Sequence, residues 1–333
     1  MRRKKNPSPP LKWGLLSTAR INRALIEPLR GSERNELQAV ASRSEVRAQV
    51  YAAEREIPKA YGSYQAMLDD PEIDVIYNSL PNSLHSKWSI RALQAGKHVL
   101  CEKPLATTLE EVDEMRAAVE ATGNFLAEAF MYRHHPQTRK VKELVDSGML
   151  GRLRLIKGEF TFNIDDESNV RLKPELGGGS IWDVGCYPIS YTRFIMGKNP
   201  EEVFGWQHVG DSGVDEVFTG QLRFEGDVFA QFDSGFRSPY RSRMEIVGSD
   251  ATLIIPHPFN PGLEVDIQVW RGEESETLQM PSQELYIGEV EDIADAVLLD
   301  RSPGISLEDS RGNVEVILAL LSSARSGKPL KLE

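Results

Sequence analysis

The feature that most constrains the fold is an alternation of short apolar runs with helical patterns between residues 12 and 131. Five runs are short and apolar enough to be buried strands: KWGLLST, NELQAVASRS, IDVIYNSLP, HVLCEKP and NFLAEAFMY. A helical pattern follows each of the first four, for example the amphipathic SKWSIRALQAG. This alternation predicts a doubly wound α/β fold, a parallel sheet covered on both faces. The ligand of such a fold lies at the carboxyl ends of the strands, near the point where the strand order reverses.

After the helical segment TRKVKELVDSG, the pattern changes to alternating apolar and polar residues with tight turns. Examples are FTGQLRFEGDVFAQFDSGFRS and RSRMEIVGSDATLIIP, which predict a large, mostly antiparallel open sheet. Helical patterns near 285–299 and 307–326 close the chain. We therefore predict a disordered leader at 1–11, a dinucleotide-binding domain at 12–132, and an α+β substrate-binding and oligomerisation domain at 133–333.

Charge and composition exclude several classes of partner. The net charge of −11 argues against nucleic acid and against an anionic membrane surface. No apolar run reaches the 18 or so residues of a membrane span. The basic N-terminus runs into NPSPP without the apolar segment of a signal peptide. Cys101 and Cys186 are too few for a disulfide framework, so we predict buried thiols in a reducing cytoplasm.

The turn after the first strand predicts a phosphate site of unusual composition. A dinucleotide fold places G-x-G-x-x-G here, so that backbone amides approach a pyrophosphate. This chain instead has small residues at those places and hydroxyls and a guanidinium that suit phosphate oxygens. The predicted phosphate-binding residues are Ser17, Thr18, Ala19, Arg20 and Ile21.

The end of the second strand predicts the type of cofactor. NAD-preferring proteins place an acid here to bind the ribose diol. Ser42, Arg43 and Ser44 instead supply hydroxyls and a guanidinium, which suit a 2′-phosphate. We therefore predict NADP, with NAD as the alternative. A solvated arginine that caps the next helix is the other interpretation of Arg43.

The sequence GKHVLCEKPLATTLEE places Lys103 at the carboxyl end of the fourth strand, where the fold binds its ligand. Pro104 fixes the backbone of the turn that presents the amine. Glu102 either orients that amine or hydrogen-bonds the cofactor. A solvated loop lysine would need no such location, so Lys103 is a candidate functional residue.

CEKPLATT resembles the E-K-P motif of the glucose–fructose oxidoreductase, inositol dehydrogenase and rhizopine-catabolism (Gfo/Idh/MocA) family. NSLPNSLH, EAFMYRHHP and GGGSIWDVGCYPISY are similar to three further motifs of that family, in the same order. The tyrosine in the last motif and EAFMYRHHPQ resemble the branch that contains dihydrodiol dehydrogenase and NADP-dependent xylose dehydrogenase. The resemblance covers residues 12 to 330 and implies an active site between the two domains.

The resemblance also implies site residues. Lys103 and Tyr187 would be the catalytic pair, with Asp183 one turn before the tyrosine, positioning substrate or nicotinamide ribose. Arg171 has the spacing of an arginine that contacts the cofactor in some relatives, and a solvated loop arginine is the alternative. The cofactor would also be lined by the loop residues Leu80, Pro81, Asn82 and His85. His85 as a hydrogen-bonded core histidine is the other interpretation.

Physical chemistry supports the pairing of Lys103 with Tyr187. A free tyrosine has a pKa of about 10, too high for a base at neutral pH. A nearby ammonium favours the phenolate, so we expect Lys103 to lower the pKa of Tyr187. The pair then takes a proton from a sugar hydroxyl, or donates one to a carbonyl in the reverse direction.

The first hypothesis is therefore an NADP-dependent sugar dehydrogenase or reductase acting on an aldose or keto-sugar. The alternatives are a sugar–sugar oxidoreductase that keeps its NADP, a dihydrodiol dehydrogenase with an apolar pocket, and a non-catalytic cofactor-sensing regulator. The presence of Lys103, Asp183 and Tyr187 argues against the regulator. His134 and His135 are adjacent and lack further ligand spacing, so no metal site is predicted. An apolar face left over on the second sheet predicts a homodimer or homotetramer.

Overall fold

The computed structural model describes residues 9–263 and 265–332, so most of the predicted leader lies outside the described residues. The strands found there are β1 (Leu11–Leu16), β2 (Asn35–Ala41), β3 (Lys59–Tyr61), β4 (Val75–Asn78), β5 (His98–Glu102), β6 (Leu126–Ala129), β7 (Leu153–Thr161), β8 (Glu202–Val209), β9 (Asp215–Phe224), β10 (Val228–Gly235), β11 (Arg241–Gly248), β12 (Thr252–Pro256), β13 (Asp266–Arg271), β14 (Glu274–Gln279) and β15 (Leu330–Lys331).

The α-helices in the same residues are α1 (Asn22–Gly31), α2 (Glu45–Glu54), α3 (Tyr64–Leu68), α4 (His85–Gln94), α5 (Leu109–Thr122), α6 (Pro136–Asp146), α7 (Cys186–Met196), α8 (Ile287–Leu299) and α9 (Leu307–Ser326). A π-helical turn, Ile181–Gly185, runs directly into α7.

The first sheet confirms the predicted doubly wound fold. Within the described residues it has six parallel strands in the order β3-β2-β1-β4-β5-β6, and the order reverses between β1 and β4. The sequence patterns predicted five strands and missed β3 together with α3. β3 is only three half-buried residues long, so it has no apolar run that would reveal it.

The second sheet confirms the predicted open, mostly antiparallel architecture. Its order in the described chain is β14-β13-β12-β11-β7-β10-β9-β8-β15, and β7 and β10 are a parallel pair within it. Helices α7 and α9 pack against one face of this C-terminal sheet. The other face, which we call the outer face, carries exposed aromatic side chains, among them Trp206 and Phe229.

Helix α8 packs on the parallel sheet, although it follows the C-terminal sheet in sequence. Its residues Val290, Ile293 and Ala294 are fully buried in one core with residues of α1 and β4. Arg34 adds ion pairs to Glu291 and Asp295 of the same helix. Helix α8 therefore connects the first sheet to the C-terminal part of the molecule. Among the described helices, none is both long and apolar enough to cross a membrane.

Candidate active site

Lys103 lies at the carboxyl end of β5 and reaches across to the turn that starts α7. Its Nζ donates to the backbone oxygen of Asp183 at 2.7 Å and to Asp183 Oδ1 at 3.1 Å. Only 11% of the lysine side chain is exposed. A residue of the first sheet and a residue of the C-terminal part are therefore held together at the predicted place, by two of the three donors of an ammonium group.

Asp183 forms a second ion pair, with Arg171 of the loop that precedes it. Arg171 Nε donates to Asp183 Oδ2 at 2.6 Å, and 42% of the arginine side chain remains exposed. Burial disfavours the charge of Asp183, but Lys103 and Arg171 outweigh burial and lower the pKa of this carboxyl. Burial likewise disfavours the ammonium of Lys103, but Asp183, Cys186 and Glu102 together outweigh burial, so the pKa of Lys103 is raised.

Tyr187 is surrounded by aromatic rings. The ring centroids of Phe130, Phe160 and Phe259 lie 5.3–5.4 Å from its own, and that of Tyr132 lies at 5.7 Å. Its hydroxyl points to the sulfur of Met131 at 3.8 Å. Lys103 Nζ lies 5.0 Å from the centroid of the Tyr187 ring. The predicted trio of Lys103, Asp183 and Tyr187 is therefore brought together, with the lysine between the other two.

The expectation that Lys103 lowers the pKa of Tyr187 is wrong in this structure. Burial raises the pKa of Tyr187 well above its ordinary value, and the neighbouring thiol, phenol and carboxyl groups raise it further. The ammonium of Lys103 points at Asp183, whose negative charge offsets it, and it faces the tyrosine ring rather than the hydroxyl. The tyrosine is therefore a protonated phenol at neutral pH.

The predicted phosphate turn offers backbone donors rather than side-chain ones. The N–H groups of Thr18, Arg20 and Ile21 have no hydrogen-bond acceptor in the described residues, and they lie just before α1. Such unpaired amides at a helix N-terminus fit phosphate oxygens. The structure therefore fits a dinucleotide pyrophosphate at this turn without the glycines.

The hydroxyl of Ser17 does not face that ligand, which corrects the prediction for its side chain. Ser17 Oγ lies 2.8 Å from Ser79 Oγ and accepts from the N–H of Ala19 at 3.0 Å. Ser79 Oγ donates in turn to Asn22 Oδ1 at 2.6 Å. These buried bonds attach the turn that follows β1 to the loop that follows β4.

Of the three residues at the end of β2 that were predicted to contact the cofactor, only Arg43 is exposed. Ser42 Oγ accepts from the N–H of Ser44 at 3.3 Å, and Ser44 Oγ caps α2 by accepting from the N–H of Arg47. The two hydroxyls are therefore used locally, which corrects their assignment to the cofactor. Arg43 is exposed, and no carboxylate of the described residues lies in ion-pair range of it. Its guanidinium fits a 2′-phosphate.

The residues of the loop after β4 that were predicted to line the cofactor differ in what their side chains contact. His85 is fully buried, and its ring nitrogens lie 2.8 Å from Pro104 O and 2.7 Å from Leu80 O. Its side chain cannot reach a cofactor, so His85 is the core histidine of the alternative interpretation. Pro81 is half-buried, and Asn82 donates to Gly177 O at 2.8 Å. Asn82 thus joins the first sheet to the glycine-rich loop before α7.

Glu102 does not orient the amine of Lys103, the first of its two predicted roles. The hydroxyl of Tyr77 donates to one of its carboxylate oxygens, and the N–H of Lys103 donates to the other at 3.3 Å. Burial raises the pKa of Glu102. Its position at the carboxyl end of β5 leaves hydrogen bonding to the cofactor as its remaining predicted role.

Sequence reasoning missed Asp215, Met131 and the aromatic rings around Tyr187. The glycines at 177–179 were recognised only as part of a family motif, and the sequence did not indicate that the carboxylate of Asp215 approaches Gly179. Phe160 and Phe259 come from segments far from Tyr187 in sequence, and no local pattern indicates that they meet. No group of three or more His, Cys, Asp or Glu side chains in the described chain is arranged to hold a metal ion.

Family comparisons agree with this geometry. The model of the oxidoreductase family GFO/IDH/MocA, NAD-binding Rossmann fold, matches residues 11–130. The model of a GFO/IDH/MocA C-terminal domain matches residues 138–254. Together the two models cover well over half of the chain.

Two curated relatives represent different substrates. D-xylose 1-dehydrogenase (NADP(+)) 2 of Haloferax volcanii is 35% identical over 327 residues, which are 97% of this chain and 100% of that protein. Trans-1,2-dihydrobenzene-1,2-diol dehydrogenase of Danio rerio is 32% identical over 249 residues, which are 74% of each protein.

Two solved structures have the same fold over nearly the whole chain. One is KijD10, a 3-ketoreductase from Actinomadura kijaniata in complex with NADP and TDP-benzene. It has a TM-score of 0.89 and 30% identity, and the match covers 94% of this chain and 98% of that one. The other is an aldose–aldose oxidoreductase from Caulobacter crescentus complexed with glycerol. It has a TM-score of 0.90 and 26% identity, and the match covers 97% and 100% of the two chains.

Proposed function

The chain belongs to the GFO/IDH/MocA oxidoreductase family, and from that premise we propose that it is an NADP-dependent sugar dehydrogenase or reductase. The observation that carries the proposal is the contact of Lys103 with Asp183 and with the ring of Tyr187, at the carboxyl end of β5. An acid–base hydroxyl and an ammonium at this edge of the sheet are what a carbonyl–alcohol interconversion requires.

The residues that would hold NADP lie along one edge of the parallel sheet. The free N–H groups of Thr18, Arg20 and Ile21 would bind the pyrophosphate, and Arg43 the 2′-phosphate. Glu102 would hydrogen-bond the nicotinamide half. NADP, when bound, supplies or accepts the hydride. The dependence on NADP in the printed name of the xylose dehydrogenase and the NADP bound to the ketoreductase support this choice.

In the reducing direction Tyr187 donates the proton. Its hydroxyl hydrogen passes to the carbonyl oxygen of the substrate while that carbon gains a hydride, so a carbonyl becomes an alcohol. Lys103 has one N–H left after its two bonds to Asp183, and that N–H holds the same oxygen. Asp183 keeps the ammonium in place. In the oxidising direction the phenolate of Tyr187 takes the proton from the hydroxyl.

The first test uses purified protein and one substitution. Near-UV absorbance reports bound nucleotide, and reduction of added NADP or NAD is then followed across a panel of aldoses. We expect Tyr187→Phe to bind NADP normally and to lose at least about 100-fold in kcat, the usual scale for a missing general acid. Tyr191→Phe, one turn further along α7 and also buried, is the matched control and should keep its activity.

The outcomes separate the hypotheses. Full activity in Tyr187→Phe would refute the assigned role. Nucleotide that copurifies and cycles only when a second sugar is added would indicate a sugar–sugar oxidoreductase, the activity named for the Caulobacter crescentus relative. Tight binding of NADP without turnover of any compound would instead support the cofactor-sensing regulator.

A dihydrodiol dehydrogenase is the second candidate, and the aromatic surroundings of Tyr187 favour it. Phe160 is half-buried beside Tyr187. Its ring centroid lies 6.2 Å from that of Tyr240, a residue that is 51% exposed. These rings form an apolar wall that suits a ring-shaped diol as well as the apolar face of a sugar. A trans-cyclohexadiene diol therefore belongs in the substrate panel. Its oxidation at a higher kcat/KM than any aldose would decide for this candidate.

A homo-oligomer formed through the outer face of the C-terminal sheet is also proposed. Exposed Trp206, Phe229 and Trp270 support it, because large apolar side chains on one sheet face are typical of subunit contacts. The cytoplasmic location stays a prediction, consistent with free, buried thiols at Cys101 and Cys186.

A further inference from the structure

Asp215, the first residue of β9, holds the start of the helix that bears Asp183 and Tyr187. Its Oδ2 accepts from the hydroxyl of Ser180 at 2.7 Å and from the N–H of Ile181 at 2.8 Å. Only 5% of the residue is exposed. The first turn of a helix leaves N–H groups unpaired and carries partial positive charge, and a carboxylate satisfies both.

The cap comes from a distant strand because the local sequence supplies none. Ser180 precedes the π-helical turn with helical backbone angles and makes no side-chain cap of its own. Its hydroxyl instead donates to Asp215 and lies 3.2 Å from Ser234 Oγ on β10. The start of the helix is therefore fastened to two neighbouring strands of the C-terminal sheet.

Gly179 makes room for this carboxylate. It has a φ of +122°, which side chains rarely adopt, and a Cβ there would lie 2.3 Å from Asp215 Oδ1. Its backbone oxygen accepts from the N–H of Asp183 at 3.1 Å. The last glycine of the GGG run, the carboxylate of Asp215 and the backbone of Asp183 thus form one connected unit.

We infer that Asp215 is a positioning residue, whose carboxylate fixes the backbone of the π-helical turn so that Asp183 and Tyr187 meet Lys103. The inference rests on the proposed function, because it assigns Asp215 a role in that reaction. Asp183 lies two residues after Ile181, and the Lys103 ammonium bonds both its backbone and its side-chain oxygen. A shift of the turn therefore moves the lysine as well as the tyrosine. A misplacement of about 1 Å in a reacting group costs on the order of 100-fold in rate.

The test compares Asp215→Ala with wild type in three measurements. We expect kcat to fall on the order of 100-fold, while KM and the Kd for NADP change by less than about threefold, because Asp215 is buried against the backbone of the turn. Hydrogen exchange should rise in the segment 179–187. Asp215→Asn keeps an oxygen that can accept both bonds, but without the negative charge, and should recover part of the lost kcat.

Ser306→Ala is the matched control, because Ser306 caps α9 and accepts from the N–H of Asp309 at 3.1 Å. We expect it to lower the melting temperature and to leave kcat unchanged. An unchanged kcat in folded Asp215→Ala, or an equal loss of kcat in Ser306→Ala, would refute the positioning role. If Asp215→Ala does not fold, Ser180→Ala removes one of the two bonds, and an unchanged kcat there refutes the role as well.

Tyr187→Phe, measured in parallel, separates this inference from the proposed function. Wild-type turnover in Tyr187→Phe refutes the proposed reaction mechanism itself. Loss of turnover in Tyr187→Phe together with full turnover in Asp215→Ala refutes only the role of Asp215.

Discussion

Burial and the arrangement of three charged side chains together keep Tyr187 protonated. Lys103 and Arg171 both bind the carboxylate of Asp183, so the two cations are directed away from the tyrosine hydroxyl. Burial among aromatic rings then raises the pKa of Tyr187. A protonated phenol is ready to donate, whereas the phenolate forms only at high pH. The residues of the site are therefore better prepared for reducing a carbonyl than for oxidising an alcohol.

This asymmetry predicts different pH profiles for the two directions. The rate of reduction should stay level from about pH 6 to about pH 9, because Tyr187 remains protonated throughout. The rate of oxidation should rise about tenfold per pH unit over the same range, since it depends on the small fraction of phenolate. Steady-state kinetics with NADPH and a carbonyl, then with NADP and the alcohol, measure both profiles. An oxidation rate that levels off near neutral pH would contradict the raised pKa.

At the scale of elements, the position of a functional group was easier to predict than the direction of its side chain. The E-K-P sequence at a strand end placed Lys103 correctly, because the end of an apolar run marks the carboxyl edge of the sheet. Asp183 and Tyr187 were correctly assigned to one helical segment. The sequence did not reveal that this segment begins with a π-helical turn capped from β9.

Short polar side chains account for most of the wrong assignments. Ser42 and Ser44 were expected at the cofactor, but each bonds a backbone N–H within three residues. Serine hydroxyls compete for nearby backbone groups in this way at turns and helix starts. His85 likewise bonds two carbonyl groups inside the fold. Arg43 has a longer side chain, which stays exposed and makes no bond to a neighbouring backbone group among the described residues.

Glu128 on β6 supports a prediction about stability and pH. Its Oε1 accepts from the N–H of Leu105 at 2.8 Å, just after the turn that presents Lys103, and its other oxygen has no partner in the described residues. Burial raises the pKa of Glu128 from 4.5 to about 7. Because the folded pKa is above the unfolded one, this carboxyl lowers stability progressively as pH rises from about 4.5 to about 7.

Glu128→Gln should therefore gain stability relative to wild type with rising pH. The amide keeps the acceptor for Leu105 and carries no charge. We expect equal stability near pH 4 and an advantage of about 3 kcal/mol for the variant at pH 8, from a shift of about 2.5 pH units. Urea unfolding across this range measures the difference. Glu114→Gln, exposed on α5, is the control and should show no trend, and a variant that is less stable at pH 8 would contradict the prediction.

At the scale of the whole molecule, the proposed active site lies where the two sheets are joined. Lys103 contacts Asp183, and Asn82 contacts Gly177, each pairing the first sheet with the segment before α7. Helix α8 also packs against α1 and β2, and Arg34 forms ion pairs with it. The C-terminal sheet thus contributes its helix-covered face to the site and leaves its outer face available.

The outer face predicts self-association. Trp206 on β8 is 60% exposed and lies beside a groove of about 350 Å³ that also contains Lys157, Arg243 and Glu245. Aromatic rings among charges of both signs allow the same face on a second copy to be complementary to it.

We expect the wild type to elute as a dimer or tetramer in size-exclusion chromatography with light scattering. Trp206→Asp should weaken this association, with a dissociation constant at least about tenfold higher. Leu299→Asp, which changes an exposed leucine at the end of α8, should keep the wild-type mass. A wild type that is monomeric at micromolar concentration, or a Trp206→Asp variant with unchanged mass, would show that this face is not the subunit contact.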